Sequence, residues 1–279
     1  SGLVGPAAMF ECGLEANIKE ARRISEELDQ SIEDSAGIQF IDQFDSGPDA
    51  EMPNRQSGHK RLGRYTISEV LGRGAFGTVF KGFDPHLNRI VAVKLVHPER
   101  IELLESLEDW FEEARVLATL KHPGIVQVYD ADKDEEGNVF IVSEYIDGQP
   151  LSEVLDQGGT DPEEAVKILA DVSDACHAAH LAGLVHRDIK PGNIMIRADG
   201  IAVLIDFGIA LSKLQLGRQL VSGLAGTPHY MSPEQTRSEG HLIDRRSDIF
   251  SIGVVMFELL CGAKPFVGST IDKVFKKIQ

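Results

Sequence analysis

Cysteine is scarce in this chain. Three residues in 279, Cys12, Cys176 and Cys261, share no spacing typical of a disulfide framework or a metal-binding motif. So few thiols fit a reducing compartment. Basic residues are also under-represented, with 28 Lys and Arg against 44 Asp and Glu, for a formal net charge of −16. A protein of that sign is a poor match for a nucleic-acid backbone or an anionic membrane surface, which excludes nucleic acid as the expected partner. Long apolar runs are missing too. The most apolar stretch, Ile249–Ala263, is interrupted by Ser251 and Glu258 and is too short to span a bilayer, so it reads as a core helix. With no secretory signal at its start, the chain reads as cytoplasmic, with no membrane segment within it.

What is present is ordinary globular composition, 42% hydrophobic and 26% charged, in a chain long enough for two lobes with a sizeable core. Residues 1–60 stand apart, with 12 Asp and Glu against 5 Lys and Arg, a net of −7. Leu14, Ile18, Ala21, Ile24, Leu28 and Ile32 fall at roughly helical spacing, so residues 1–64 read as a partly disordered acidic leader that folds only against a partner, with a short amphipathic helix packed on the catalytic domain as the alternative, and the linker over 46–63. From Tyr65 the pattern tightens. Tyr65–Leu71, Val79–Phe83, Ile90–Val96, Ile125–Tyr129 and Val139–Glu144 are β-branched or aromatic runs parted by turns, which predicts antiparallel strands. Helical patterns cover Leu103–Leu120, which stops before His122-Pro123, then Leu151–Asp156, Pro162–Leu181 and Ser247–Cys261. The order predicts an α+β fold of two lobes, sheet-rich over 65–145 and helical over 146–279.

Chemistry-bearing residues recur along this frame. Gly72-Arg73-Gly74-Ala75-Phe76-Gly77-Thr78-Val79 spells G-x-G-x-x-G-x-V, a turn whose bare backbone can approach phosphate oxygens. It runs on into a strand, which excludes the dinucleotide fingerprint, and it has no Gly-Lys-Ser/Thr, which excludes a Walker loop. Lys94 ends the apolar run Val91-Ala92-Val93 and calls for an acidic partner. Glu113 shares a helical face with Leu117 and Leu120, whereas Glu112 does not, so the spacing pairs Lys94 with Glu113. Further on come His186-Arg187-Asp188-Ile189-Lys190-Pro191-Gly192-Asn193, then Asp206-Phe207-Gly208, then Gly226-Thr227-Pro228-His229-Tyr230-Met231-Ser232-Pro233-Glu234-Gln235.

In this order the motifs resemble those of the eukaryotic-type protein kinases, and most closely the bacterial membrane-associated serine/threonine kinases, over about Tyr65 to the end of the chain. The resemblance implies transfer of the γ-phosphoryl group of ATP, with Mg²⁺, to Ser or Thr hydroxyls of protein substrates, with autophosphorylation in signalling. By the same resemblance Asp188 orients the acceptor hydroxyl, Lys190 sits beside the γ-phosphate, and Thr227 bridges Asp188 and Lys190. Lys94, held by Glu113, grips the α- and β-phosphates, while Asn193 and Asp206 hold Mg²⁺. Leu71, Gly72, Gly74, Gly77, Val79, Ala92, Ser143 and Met195 line the nucleotide site, and the hinge Glu144-Tyr145-Ile146 meets the adenine edge. Leu117, Val128, His186 and Phe207 form an apolar column anchored by Asp248. Association between kinase copies is a further expectation. A catalytically silent scaffold is the alternative, against which the complete motif set argues. A small-molecule phosphotransferase is disfavoured by the Gly226–Glu234 segment.

Three departures accompany the resemblance. Ser143 stands at the gatekeeper position, where related bacterial kinases often carry Met. Between Asp206 and Thr227 only Ser212 and Ser222 offer hydroxyls, which makes Ser222 the expected regulatory phosphate site opposite Arg187. The family pairs Glu234 with an Arg from a late helix, yet after Cys261 only Lys264, Lys273, Lys276 and Lys277 follow. The expectation is that the last helices of the lobe lie outside this sequence, that Glu234 is unpaired and that the Ile249–Leu260 helix is partly uncovered.

Overall fold

In the computed structural model, the described residues are 61–74, 76–101, 106–207, 228–237 and 239–279. The leader reading therefore falls outside them, apart from residues 61–64, of which Arg61 and Leu62 come first. That pair forms a short strand, β1, antiparallel to β2, with Leu62 buried, so the linker read over 46–63 extends too far.

A six-stranded antiparallel sheet follows, in the order β1-β2-β3-β4-β6-β5. Its strands are β2 (Tyr65–Gly74), β3 (Gly77–Asp84), β4 (Arg89–Val96), β5 (Val128–Lys133) and β6 (Val139–Glu144). Alternation fixes the register of β4: Val91 and Val93 are fully buried in the core, which leaves Ala92 and Lys94 on the opposite face. Between β4 and β5 lie α1 (Pro98–Ile101) and α2 (Leu107–Thr119). Ser106 caps α2 by accepting from the Asp109 N–H at 3.2 Å, and Trp110, Ala114 and Leu117 form its buried stripe.

The helical lobe opens with β7 (Gly148–Pro150) and α3 (Leu151–Asp156). Its long helix α4 (Pro162–Leu181) starts on an Asp161 cap with Pro162 in the first turn. Ala165, Ile168, Val172, Ala175, Cys176 and Ala179 make one buried face along it. A hairpin of β8 (Ile194–Arg197) and β9 (Ala202–Leu204) pairs with β7. Then come α5 (Pro233–Thr236), α6 (Arg245–Cys261) and α7 (Ile271–Ile278). Helix α6 packs Asp248, Ser251, Val254, Val255 and Leu259 inward, while Ile249, Met256, Phe257 and Leu260 are exposed, the partly uncovered face expected from the sequence. The α+β, two-lobed class is the observed one. Among the described residues no helix is long and apolar enough to cross a membrane.

Candidate active site

The glycine-rich turn is a tight hairpin in which Arg73 faces Thr78 and Gly74 faces Gly77. Its glycines have different reasons to be there. At Gly77 an added Cβ would lie 2.2 Å from the Leu95 carbonyl oxygen, so β3 approaches β4 too closely for any side chain. At Gly72 a Cβ would meet nothing within 4 Å, and at Gly74 only a carbonyl at 3.9 Å. Protein packing does not demand those two, and the open space they leave is what a phosphate chain needs. Val79, Ala92 and Met195 are partly exposed, and Ser143 lies across the ladder from Ala92, as a nucleotide-site wall requires. Leu71 is exposed on β2 beside this wall.

The catalytic loop hangs from Asp248. Its Oδ2 accepts from the His186 backbone N–H and its Oδ1 from that of Arg187, both at 2.8 Å. Arg187 adopts left-handed backbone, φ +67°, and so does Asp206, φ +60°. The His186 ring bonds the Ile205 carbonyl at 3.0 Å and packs 4.5 Å from the Phe207 ring. Leu117, Val128 and Phe207 are buried in one core cluster, and buried His186 packs on Phe207. Asp188 Oδ2 accepts from Lys190 Nζ and from Asn193 Nδ2, each at 2.9 Å. Asn193 Nδ2 also donates to the Asp188 carbonyl at 2.8 Å. This clamp fixes the carboxylate and turns the Asn193 oxygen away from it.

Lys94 Nζ lies 2.6 Å from Asp206 Oδ1, so the lysine of the sheet and the carboxylate of the helical lobe meet across the cleft. Burial pushes the Asp206 carboxyl up, but Lys94, with Lys190 and His186, outweighs it and holds the group below the usual carboxylate range. The expected Lys94–Glu113 pair is not formed. Glu113 Oε1 instead faces Arg187 Nη1 at 3.8 Å, and burial raises its carboxyl pKa more than Arg187 lowers it. Helical periodicity put Glu113 on the inward face, as observed. It carried no information on where α2 sits against β4, and two cations and two carboxylates in one cleft can exchange partners.

A second correction concerns Glu234. It accepts a hydrogen bond from Ser247 Oγ, from the first turn of α6, so it is not unpaired. Gln235 ends the quoted motif, but the sequence assigns it no role. Buried at the end of the Gly226–Gln235 motif, it accepts from the Ser232 N–H at 2.9 Å and donates to the Arg187 carbonyl at 2.8 Å. It therefore ties this segment to the catalytic loop, through contacts between positions far apart in sequence. Gly208, Ser222 and Thr227 lie outside the described residues. Glu144 and Ile146 are partly buried at the junction of the lobes, where the Glu144 N–H bonds the Gln127 carbonyl at 2.8 Å.

The donor set suits a hard divalent ion such as Mg²⁺. Asp206 is kept ionised, and Asn193 offers an amide oxygen held in place through its nitrogen. Glu113 supplies a test of this electrostatic picture. Its raised folded-state pKa gives a contribution to stability that is present below the unfolded value and lost as pH rises through the folded one. Glu113→Gln is expected to unfold at the same or a higher temperature than wild type at pH 7. That margin should narrow as the pH is lowered towards 5, and thermal melts across that range check it.

Two oxygen donors suited to a hard cation, a lysine and a clamped aspartate, with a glycine-rich hairpin on the sheet, are the kinds of group that phosphoryl transfer needs. The sequence matches the protein kinase domain family over residues 65–279, and the chain belongs to that family. It is 40% identical over 214 residues to serine/threonine-protein kinase PksC of Streptomyces coelicolor, a match covering 73% of this chain and 38% of that protein. It is 38% identical over 213 residues to serine/threonine-protein kinase PknB of Mycolicibacterium smegmatis and to PknB of Mycobacterium tuberculosis, covering 74% of this chain and 34% of each. The chain thus spans a little over a third of the length of these relatives.

Proposed function

We propose that the chain is a serine/threonine protein kinase that transfers the γ-phosphoryl group of ATP, with Mg²⁺, to Ser and Thr hydroxyls of proteins, itself included. The observation that carries this is the Asp188 carboxylate clamped by Lys190 and Asn193, in the loop that Asp248 suspends beside the Lys94–Asp206 pair. The names of its relatives support Ser/Thr as the acceptor class.

Asp188 takes the proton of the acceptor hydroxyl as its oxygen bonds to the γ-phosphorus and the bond to the β-phosphate oxygen breaks. Lys190 neutralises charge at the transferring group, and Thr227 braces Asp188 and Lys190 from the facing segment. For the reaction Lys94 leaves Asp206 for the α- and β-phosphates, and Glu113 leaves Arg187 to hold Lys94. When bound at Asp206 and Asn193, Mg²⁺ supplies positive charge for the phosphate oxygens. Arg187, released by Glu113, then meets a phosphate on Ser222. Gly72, Gly74 and Gly77 cover the phosphates. Leu71, Val79, Ala92, Ser143 and Met195 enclose the adenine, with Glu144 and Ile146 at its polar edge. We place the lobe boundary after Tyr145, the leader before β1 and the site of action in the cytoplasm. Exposed Phe83, Leu87 and Ile90, grouped around the β3–β4 turn, support self-association of kinase copies.

The decisive experiment incubates the whole chain and its Asp206→Ala variant with labelled ATP, Mg²⁺ and dephosphorylated casein. Wild type is expected to label casein and itself, including residues 211–227 at Ser222, and the variant is expected to label neither. Equal incorporation in both overturns the reading. The small Ser143 side chain predicts a second outcome. Adenine mimics with a bulky group directed behind the base should inhibit wild type, and Ser143→Met should lose at least tenfold in their inhibition at unchanged KM for ATP, about 1.4 kcal/mol of binding. An unchanged inhibition constant removes Ser143 from the gatekeeper position.

A further inference from the structure

Below the catalytic loop, on the far side from the cleft, helices α4 and α6 bring three ligand-type side chains together. Cys176 and His180 stand one turn apart on α4, at i and i+4, and Asp248 lies in the first turn of α6. Cys176 Sγ is 3.3 Å from His180 Nε2 and 3.8 Å from Asp248 Oδ2, and His180 Nε2 is 2.8 Å from Asp248 Oδ2. Cys176 and Asp248 are each 1% exposed, while the His180 side chain is 9% exposed. Among the described residues this is the one group of three His, Cys, Asp or Glu donors close enough to share an ion. Sequence spacing could not reveal it, since Asp248 is 72 positions from Cys176.

We propose that Cys176, His180 and Asp248 form a binding site for a thiophilic divalent transition ion of the zinc class, which clamps α4 to α6 beneath the catalytic loop. Ions of this class hold thiolate sulfur at about 2.3 Å and imidazole nitrogen or carboxylate oxygen at about 2.0–2.2 Å. Tetrahedral angles then separate the donors by roughly 3.3–3.6 Å, within about half an ångström of each observed separation. Sulfur and imidazole select zinc, cobalt or nickel over magnesium and calcium, which makes this site chemically distinct from the oxygen pair Asp206 and Asn193.

Binding balances as one ion in and one proton out. Burial, then the neighbouring Asp248 charge and hydrogen bond, push the Cys176 thiol up, so the metal-free protein carries S–H, and the S–H bond breaks as the S–metal bond forms. In the metal-free protein the His180 ring donates its Nε2–H to Asp248 Oδ2; on binding that proton moves to Nδ1 as the Nε2 lone pair goes to the ion, so only the thiol proton leaves. Asp248 Oδ2 replaces its contacts with His180 and Cys176 by the ion and retains the His186 N–H, while Oδ1 retains that of Arg187. Three protein ligands leave a fourth position for water at the His180 edge, so the ion exchanges instead of being locked in. Unfolding separates the donors, so the ion stabilises the folded state only.

The test uses the full chain with Cys12→Ala and Cys261→Ala, which leaves Cys176 as the one thiol, and Co²⁺ as the probe. One equivalent of Co²⁺ is expected to give a thiolate-to-cobalt charge-transfer band, to release one proton and to be displaced by Zn²⁺. The melting temperature should rise with Zn²⁺ and not with Mg²⁺. Adding His180→Gln should weaken Co²⁺ binding at least tenfold, and adding Cys176→Ser, nearly the same size, should abolish the band. Absence of the band in folded Cys176-only protein at millimolar Co²⁺ overturns the proposal, as does a band indifferent to His180→Gln. Neither readout depends on kinase activity, so the site can fail while the kinase reading stands, and the reverse.

Discussion

Asp188→Asn is expected to lower single-turnover phosphoryl transfer by roughly 10²–10⁴-fold, the range for removing a positioned general base. The amide is nearly the same shape as the carboxylate, and the site is partly solvated, with Asp188 and Lys190 side chains each 22% exposed. The fold should therefore survive, and the loss should appear in the chemical step while ATP affinity stays close to wild type. This separates Asp188 from Lys94, whose replacement by Met should weaken nucleotide binding as well, because the proposed role of its ammonium is to grip the phosphates. Rapid-quench measurement with saturating ATP reads the first effect, and equilibrium titration with a fluorescent ATP analogue reads the second. A decrease of less than tenfold for Asp188→Asn would exclude the proton-accepting role.

The second large effect is structural. Asp248→Ala removes the acceptor of two backbone N–H groups, a buried one at His186 and a part-buried one at Arg187. Each orphaned group costs roughly 1–3 kcal/mol, so the total is about 2–6 kcal/mol. Against a domain stability of about 5–15 kcal/mol, that is enough to unfold a marginal protein. The expected result is a fall in the urea midpoint large enough to leave part of the variant unfolded at 37 °C. Asp248→Asn should recover only part of the loss, since an amide presents one oxygen where two donors need accepting. A midpoint within error of wild type for the Ala variant would show that the loop does not depend on this carboxylate.

How much of this was readable beforehand varied with the kind of interaction. Helices α3 and α4 have the bounds the sequence indicated, because their ends are written locally, in Pro150 before α3 and Asp161-Pro162 before α4. The strand read at Ile125–Tyr129 instead runs from Val128 to Lys133. Ile125 and Val126 bridge to Leu204 of the helical lobe, whereas the mostly polar Asp130–Lys133 pair with β6. Apolar periodicity detects burial, and here burial and strand pairing coincide at Val128 but part company on either side of it. At the site, the ordered motifs indicated which side chains converge, and Lys94, Asp188, Asn193 and Asp206 do gather at one cleft. What stayed hidden was relational. The exchange of partners between Glu113 and Asp206, the Gln235 tie to Arg187 and the Ser247 contact with Glu234 each depend on how separate elements sit against one another.

The left-handed backbone at Arg187 and Asp206 bears on any attempt to engineer this chain. An L-residue held there carries roughly 1–2 kcal/mol of steric strain that glycine does not. A library screened for heat resistance alone is expected to admit glycine at Arg187, discarding a guanidinium that the proposed mechanism uses, whereas at Asp206 glycine also loses the contact with Lys94. Directed evolution of this scaffold thus needs a catalytic readout in every round, because at Arg187 durability and turnover favour opposite residues.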